Sequence, residues 1–172
     1  MKTTALAWLG GGSAWLVAGL INGGTVEAIW LVADALIAVG LFGLWRADLH
    51  AGRRLGVVGL VIAALGRAFF VAAEIMAAVS GNDDNALLPI GALATAVGMI
   101  LYGIAVIRAR TCESPNRFAP LVVGLYPFLG MFPIVAATGE PSALAISLWG
   151  VPIAVLGVAL VSRTVAVARP AA

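Results

Sequence analysis

The sequence predicts an all-α integral membrane protein, a bundle of six transmembrane helices packed as antiparallel hairpins, and three observations predict it. Of the 172 residues, 62% are hydrophobic and only 10% are charged, whereas soluble domains average about 45–50% apolar and about 25% charged residues. The apolar residues are grouped in runs that approach the roughly 20 helical residues needed to cross a bilayer. Only short connections separate these runs, so consecutive helices should lie side by side. We therefore expect residues 1–172 to form a single transmembrane domain.

Six segments reach or approach the length of a span: Ala5–Ile21, Val26–Trp45, Leu55–Ser80, Leu87–Ile107, Phe118–Thr138 and Ala143–Ser162. The first segment is the least regular, because a run of three glycines at 10–12 lowers its helix propensity. Lys2 followed by an apolar run is also the pattern of a signal peptide. We interpret this segment as a span, and five spans remain without it. Residues that cap helix N-termini precede the second, fourth and sixth segments: Thr25, the Asp and Asn residues of 82–85, and Ser142.

The basic residues outside the predicted spans all fall on one side of the membrane. They are Lys2, Arg46, Arg53, Arg54, Arg108, Arg110, Arg117, Arg163 and Arg169. The loops on the other side contain Asp83, Asp84 and Glu140 but no Lys or Arg. The positive-inside rule therefore places both termini in the cytoplasm. The abundance of Arg, Ala, Val and Gly suits a GC-rich bacterial genome, so we expect the protein in a bacterial plasma (inner) membrane.

Charged residues inside the predicted spans are the candidates for function, because a charge at the bilayer centre costs about 2.5–3.5 kcal/mol. Asp34 lies roughly 12 Å, Glu74 roughly 8 Å and Arg67 roughly 18 Å from the outer helix ends. Cα–Cβ bonds tilt towards the helix N-terminus, so Asp34 and Glu74 converge while Arg67 leans away from Asp34. This tilt argues against a simple Asp34–Arg67 pair, although the long stem of Arg67 could bend back towards Asp34. We predict a ligand- or ion-binding cluster of Asp34, Arg67, Glu74 and Tyr102, with Glu27 at its mouth.

The helix faces indicate that this cluster points into the bundle. Small and polar residues recur at helical spacing on three spans, as is typical of close contacts between membrane helices. The members are Gly56, Ala63, Arg67, Phe70 and Glu74 on the third span, Gly91, Thr95, Gly98, Tyr102 and Ala105 on the fourth, and Ser147, Gly150, Ala154 and Gly157 on the sixth. The charged faces are therefore expected to pack inwards rather than towards lipid.

We interpret the prolines and tryptophans of the predicted spans as structural rather than functional residues. Pro127, Pro133 and Pro152 should kink the fifth and sixth spans, because proline removes a backbone hydrogen bond. Trp30, Trp45 and Trp149 stand near segment ends, and we interpret them as residues of the membrane interface.

The composition excludes several classes of function. No predicted span contains a lysine for a retinal Schiff base, and the only histidine, His50, lies in a loop, which excludes a bis-His haem or a histidine metal centre. Cys112 is the only cysteine, so no disulfide can form within the chain. The arginines are scattered and form no patch for nucleic acid. We expect no enzymatic activity, cofactor or metal. The expected partners are the lipid bilayer and either a second copy or another membrane protein.

Two interpretations of the polar cluster stay open. A buried ion pair can serve only to fix helix register. Three acids against one arginine leave at least one carboxyl group protonated or exposed to water, which favours a ligand or ion site. The predicted function is a non-enzymatic accessory or ligand-sensing subunit with an outward-facing polar cluster among the second, third and fourth spans. The alternative is a proton- or cation-coupled small-molecule transporter working as an oligomer, with Asp34 and Glu74 as titrating carboxylates and Arg67 as a counter-charge.

Overall fold

The part of the chain that the structure describes is built from helices without strands. The structure is a computed structural model that describes residues 2–21, 26–80, 85–112, 115–139 and 142–167. Its α-helices are α1 (Lys2–Ala18), α2 (Val26–Ala47), α3 (Arg54–Ser80), α4 (Leu87–Ala109), α5 (Ala119–Tyr126), α6 (Phe132–Thr138), α7 (Ala143–Ser147) and α8 (Gly150–Val167). The predicted all-α bundle is confirmed.

These helices form six rods across the described ranges. The first four rods are the single helices α1 to α4. The fifth rod begins with a 3-10 turn, Asn116–Phe118, and runs through α5 and a π-helical turn, Pro127–Met131, into α6. The sixth rod is α7 followed by α8, with a turn at Leu148 and Trp149 between them. The predicted kinks of the fifth and sixth spans therefore correspond to real interruptions of the α-helix.

Five of the rods are long and apolar enough to cross a membrane. The spans are Ala28–Ala47, Arg54–Ala77, Leu87–Ala109, Asn116–Thr138 and Ala143–Ser162. Helix α1 has 17 residues, which corresponds to about 25 Å of helix against a hydrocarbon core of about 30 Å. The chain is thus a multi-pass membrane protein, and a full crossing by α1 stays a prediction.

Helix α1 closes the bundle into a ring. Each rod contacts the next along the chain, and α1 lies between α2 and α8. The α3–α4 contact is especially close, because a Cβ at Gly59 would lie only 2.6 Å from the carbonyl oxygen of Gly98. The α1–α8 contact is similar, since a Cβ at Gly12 would lie 2.6 Å from the carbonyl oxygen of Gly150. The predicted small-residue stripes on the fourth and sixth spans are therefore helix contacts.

The connections show which helix ends lie together. The guanidinium group of Arg53 donates to the carbonyl of Arg108 at 3.2 Å, and the hydroxyl of Thr111 donates to the carbonyl of Leu49. The loops that follow α2 and α4 therefore meet at one end of the bundle, which we call the basic end. The other end, where α2, α4 and α7 begin, is called the opposite end.

One predicted N-cap is confirmed at the opposite end, where the side chain of Ser142 accepts from the backbone N–H of Ala145 at 3.4 Å. The N-cap of α4 is Ala86, which makes no side-chain capping bond. Asn85, one residue earlier, accepts from Leu87 N–H through Oδ1 at 2.9 Å. The remaining predicted cap, Thr25, lies outside the described residues, as do the predicted loop acids Asp83, Asp84 and Glu140 and the basic Arg169.

Candidate functional site

An ion pair between α2 and α3 lies inside the ring of helices. Arg67 Nη1 donates to Asp34 Oδ1 at 2.6 Å, and the two side chains are only 2% and 0% exposed. Asp34 and Arg67 pair although Cα–Cβ tilt predicts that they lean apart, because the long stem of Arg67 reaches across the offset that the tilt creates. The helix faces were predicted correctly, since both charges point into the bundle.

Three aromatic rings surround the Arg67 cation. The guanidinium carbon lies 4.8 Å from the ring centroid of Trp15, 5.0 Å from that of Phe70 and 4.9 Å from that of Trp149. These distances are within the range of cation–π attraction. Within the described residues, Arg67 Nε and Nη2 have no hydrogen-bond acceptor, so the ring faces take that place. We call Trp15, Phe70 and Trp149 the aromatic cage.

Hydrogen bonds to the two interrupted rods hold the cage in position. Trp149 Nε1 donates to the carbonyl of Val123 at 2.8 Å. In a continuous helix that carbonyl would accept from residue 127, but Pro127 has no N–H, so the indole supplies the missing donor. Trp15 Nε1 donates to the carbonyl of Ile146 at 2.9 Å, at the end of α7. The helix interruptions therefore supply the acceptors that orient two rings of the cage.

A half-open cavity of about 320 Å³ adjoins the cage. Val26 and Ala143, the first residues of α2 and α7, line it, so its mouth is at the opposite end. Its aromatic walls are Trp15, Trp30 and Phe70. Trp15 and Phe70 also belong to the aromatic cage, so the cavity and the cage share two side chains.

Among the described residues that line this cavity, only Glu74 has an ionisable side chain. Its carboxyl group interacts electrostatically with both Asp34 and Arg67. Its buried Oε2 atom has no hydrogen-bond partner among the residues described, and no basic side chain in those ranges forms a salt bridge with it. Asp34 thus neutralises Arg67, and Glu74 is the surplus acid of the site. No three His, Cys, Asp or Glu side chains within the described ranges are grouped so as to hold a metal ion.

The remaining two predicted site residues are not placed in this group. The ring of Tyr102 lies 5.9 Å from that of His50, centroid to centroid. The backbone of Tyr102 packs against Gly59, which precedes Arg67 by eight residues, or about 12 Å of helix. Tyr102 therefore lies towards the basic end. The side chain of Glu27 lies outside the described part of the structure.

The tryptophans are the functional candidates that the sequence analysis missed. Trp149, interpreted as an interfacial residue, is fully buried, so that interpretation was wrong. Trp30 packs against Trp15 with 4.6 Å between ring centroids and lines the cavity. Trp45 alone of the three, 48% exposed, fits the interfacial interpretation. The available signal was a buried arginine with too few acceptors, since tryptophan faces at a similar depth can stabilise such a cation.

The fold and the site define a class: a multi-pass helical membrane protein with a buried ion pair, an aromatic cage around its cation and an adjoining cavity. Comparison with family models, curated proteins and solved structures gives no match to this chain. The proposals below therefore rest on the site itself.

Proposed function

We propose that the protein is a non-enzymatic accessory or ligand-sensing subunit that binds a small molecule in the cavity at the opposite end. The observation that carries this proposal is the cavity of about 320 Å³ with walls of Trp15, Trp30 and Phe70 and one carboxyl group, Glu74. Ligand pockets typically measure about 300–1,000 Å³ and are apolar with a few polar groups that orient the ligand. This cavity has that chemistry at the small end of the range.

Trp15 links the cavity to other helices of the bundle, so ligand binding there can change how these helices are arranged. Trp15 lines the cavity, faces Arg67 of α3 and donates a hydrogen bond to the carbonyl of Ile146 in α7. A ligand shifts a conformational equilibrium by its difference in affinity for the two states. A ligand in contact with Trp15 would therefore favour one arrangement of α1, α3 and α7. A second copy or another membrane protein would receive this change through helix contacts in the bilayer.

The interacting carboxyl groups of Asp34 and Glu74 beside the cavity support one alternative, a proton- or cation-coupled transporter that works as an oligomer. The two functions make different predictions for Asp34→Asn. Proton coupling requires this variant to stay folded and lose transport. The ligand-binding function predicts a large loss of stability, because Asp34 neutralises a buried arginine at 2.6 Å.

Thiol accessibility tests whether the cavity is a water-accessible binding site. In a Cys112→Ser background, Ala77→Cys places a thiol in the cavity lining, and Ala72→Cys places one on the same helix in the apolar groove between α2 and α3. In vesicles, a membrane-impermeant thiol reagent should modify Ala77→Cys from the opposite end and leave Ala72→Cys unmodified.

The thermal unfolding of both variants is compared with that of Cys112→Ser, so that only folded protein is scored. The proposal fails if folded Ala77→Cys does not react, or if it reacts only from the basic end. It also fails if both thiols react equally, because the reagent would then not distinguish the cavity from the lipid-facing groove.

A further inference from the structure

We propose that the cavity binds a compact organic monocation with an aromatic or alkyl body, of the quaternary ammonium type, with Glu74 as its counter-charge. This inference rests on the proposed ligand-binding function and names the class of ligand. The features that carry it are the charge left over by the ion pair, the aromatic walls and the size of the cavity.

The charge of the site selects for a cation. Asp34 and Arg67 form a buried pair at 2.6 Å and cancel each other. Glu74 adds one acid to the cavity lining, and no basic side chain of the described ranges forms a salt bridge with it. A charge in a site with little water needs an opposite charge, because its desolvation is otherwise uncompensated. A bound monocation stabilises the ionised carboxylate of Glu74 by offsetting its desolvation, whereas an anion meets no basic side chain among the described residues of the lining.

The walls of the cavity suit a cation without strong hydrogen-bond donors. Trp15, Trp30 and Phe70 present aromatic surface, and ring faces attract cations within about 6 Å of their centroids. Two of these rings, Trp15 and Phe70, already lie 4.8 and 5.0 Å from the guanidinium carbon of Arg67. The protein thus uses the same side chains to stabilise an internal cation beside the cavity. Apart from Glu74, the described part of the lining has no ionisable group to receive the several N–H donors of a primary amine.

The volume of the cavity limits the size of the ligand. At about 320 Å³, the cavity is near the lower limit of about 300 Å³ for ligand pockets. One aromatic ring with a trimethylammonium group is therefore a suitable probe, and larger multi-ring cations are not expected to enter.

The test compares three probes of similar shape and different charge. Benzyltrimethylammonium is the cation, neopentylbenzene is its neutral isostere with carbon in place of nitrogen, and benzenesulfonate is an anion. Each is titrated against the purified full-length protein in detergent while the thermal unfolding temperature and the rate of Ala77→Cys modification are recorded. The cation should raise the unfolding temperature and slow the modification, and the neutral isostere should bind at least tenfold more weakly. Benzenesulfonate should show no binding.

Three variants assign the effect to the site. Glu74→Gln should weaken binding of the cation at least tenfold and leave binding of the neutral probe unchanged. Trp30→Ala lies in the cavity wall but outside the aromatic cage, and it should weaken cation binding even if Glu74→Gln does not fold. Asp48→Asn, which also removes one acid but at the basic end, is the matched control and should bind the cation as the wild type does.

The outcomes separate the ligand class from the proposed function. If neopentylbenzene binds as tightly as the cation and Glu74→Gln has no effect, the cation proposal is overturned while the binding cavity stands. The same conclusion follows if Ala77→Cys reacts and the cation neither protects it nor raises the unfolding temperature. If folded Ala77→Cys does not react and none of the probes binds, both proposals are overturned.

Discussion

The buried cation of Arg67 is stabilised by one carboxylate, that of Asp34, and by the three rings of the aromatic cage. Asp34 cancels the charge at 2.6 Å, and the ring centroids of the aromatic cage lie 4.8 to 5.0 Å from the guanidinium carbon. Each cation–π contact contributes about 0.5–2 kcal/mol, more where water is excluded. Removing one partner of a buried pair costs about 3–5 kcal/mol. The carboxylate therefore contributes more than any single ring.

A double-mutant cycle tests whether Asp34 and Arg67 are energetically coupled. Asp34→Asn and Arg67→Met should each lower the free energy of unfolding by about 3–5 kcal/mol, because each leaves one buried charge without its partner. The double variant should lose clearly less than the sum, since no uncompensated charge remains. Denaturant titration in detergent measures all four proteins. Additive losses would show that the two side chains are not energetically coupled.

The residues of the site were predictable to different degrees. Charge inside an apolar run identified Asp34, Arg67 and Glu74, because burying a charge in a membrane is costly enough to stand out in the sequence. The sequence left their pairing open, since an arginine stem is long enough to cross the offset that Cα–Cβ tilt creates. The roles of Trp15 and Trp149 were missed, because tryptophans near helix ends ordinarily lie at the membrane interface. Both side chains point inwards because α1 and the sixth rod close the ring of helices around Arg67.

At the scale of the helices, the structure of the two interrupted rods could be predicted only in part from the sequence. Helix lengths and small-residue stripes were predicted well because hydrophobic run length and 3.6-residue spacing determine them. A proline predicts which carbonyl loses its intrahelical donor, and for Pro127 that carbonyl belongs to Val123. The replacement donor, Trp149, could not be predicted, because it depends on how the fifth and sixth rods pack.

The bond from Trp149 to Val123 can be tested by restoring the missing donor. Trp149→Phe keeps an aromatic ring beside Arg67 and removes the indole N–H, so it should cost about 1–3 kcal/mol for the carbonyl left without a partner. In a Pro127→Ala background, residue 127 regains an N–H for the Val123 carbonyl, and Trp149→Phe should then cost distinctly less. Unfolding free energies of the four proteins give the difference. An equal cost in both backgrounds would assign the effect to ring packing alone.

At the scale of the whole molecule, the described loops of the six-rod ring carry their basic residues at one end. Arg53 bonds to the carbonyl of Arg108 there, and Arg54 is exposed beside it. The cavity opens at the other end, where α2 and α7 begin. Since basic residues near membrane helices stay on the cytoplasmic side, the orientation predicts that the cavity faces away from the cytoplasm.

A thiol at the basic end tests this orientation. In the Cys112→Ser background, Arg54→Cys places an exposed thiol at the start of α3 and leaves Arg53 in place. A membrane-impermeant reagent should modify it in inverted vesicles or after permeabilisation and leave it unmodified in intact cells, opposite to Ala77→Cys. Modification of Arg54→Cys in intact cells would reverse the assigned orientation and place the cavity on the cytoplasmic side.

The bond between Trp149 and Val123 also has a consequence for biogenesis. A nascent fifth segment that enters the bilayer alone carries a backbone oxygen whose natural donor is absent, and hydrocarbon offers no water to replace it. The sixth segment brings the required N–H on the side chain of Trp149. The fifth segment therefore depends on the sixth for this hydrogen bond. We expect the translocon to release the two into lipid together as a hairpin rather than one after the other.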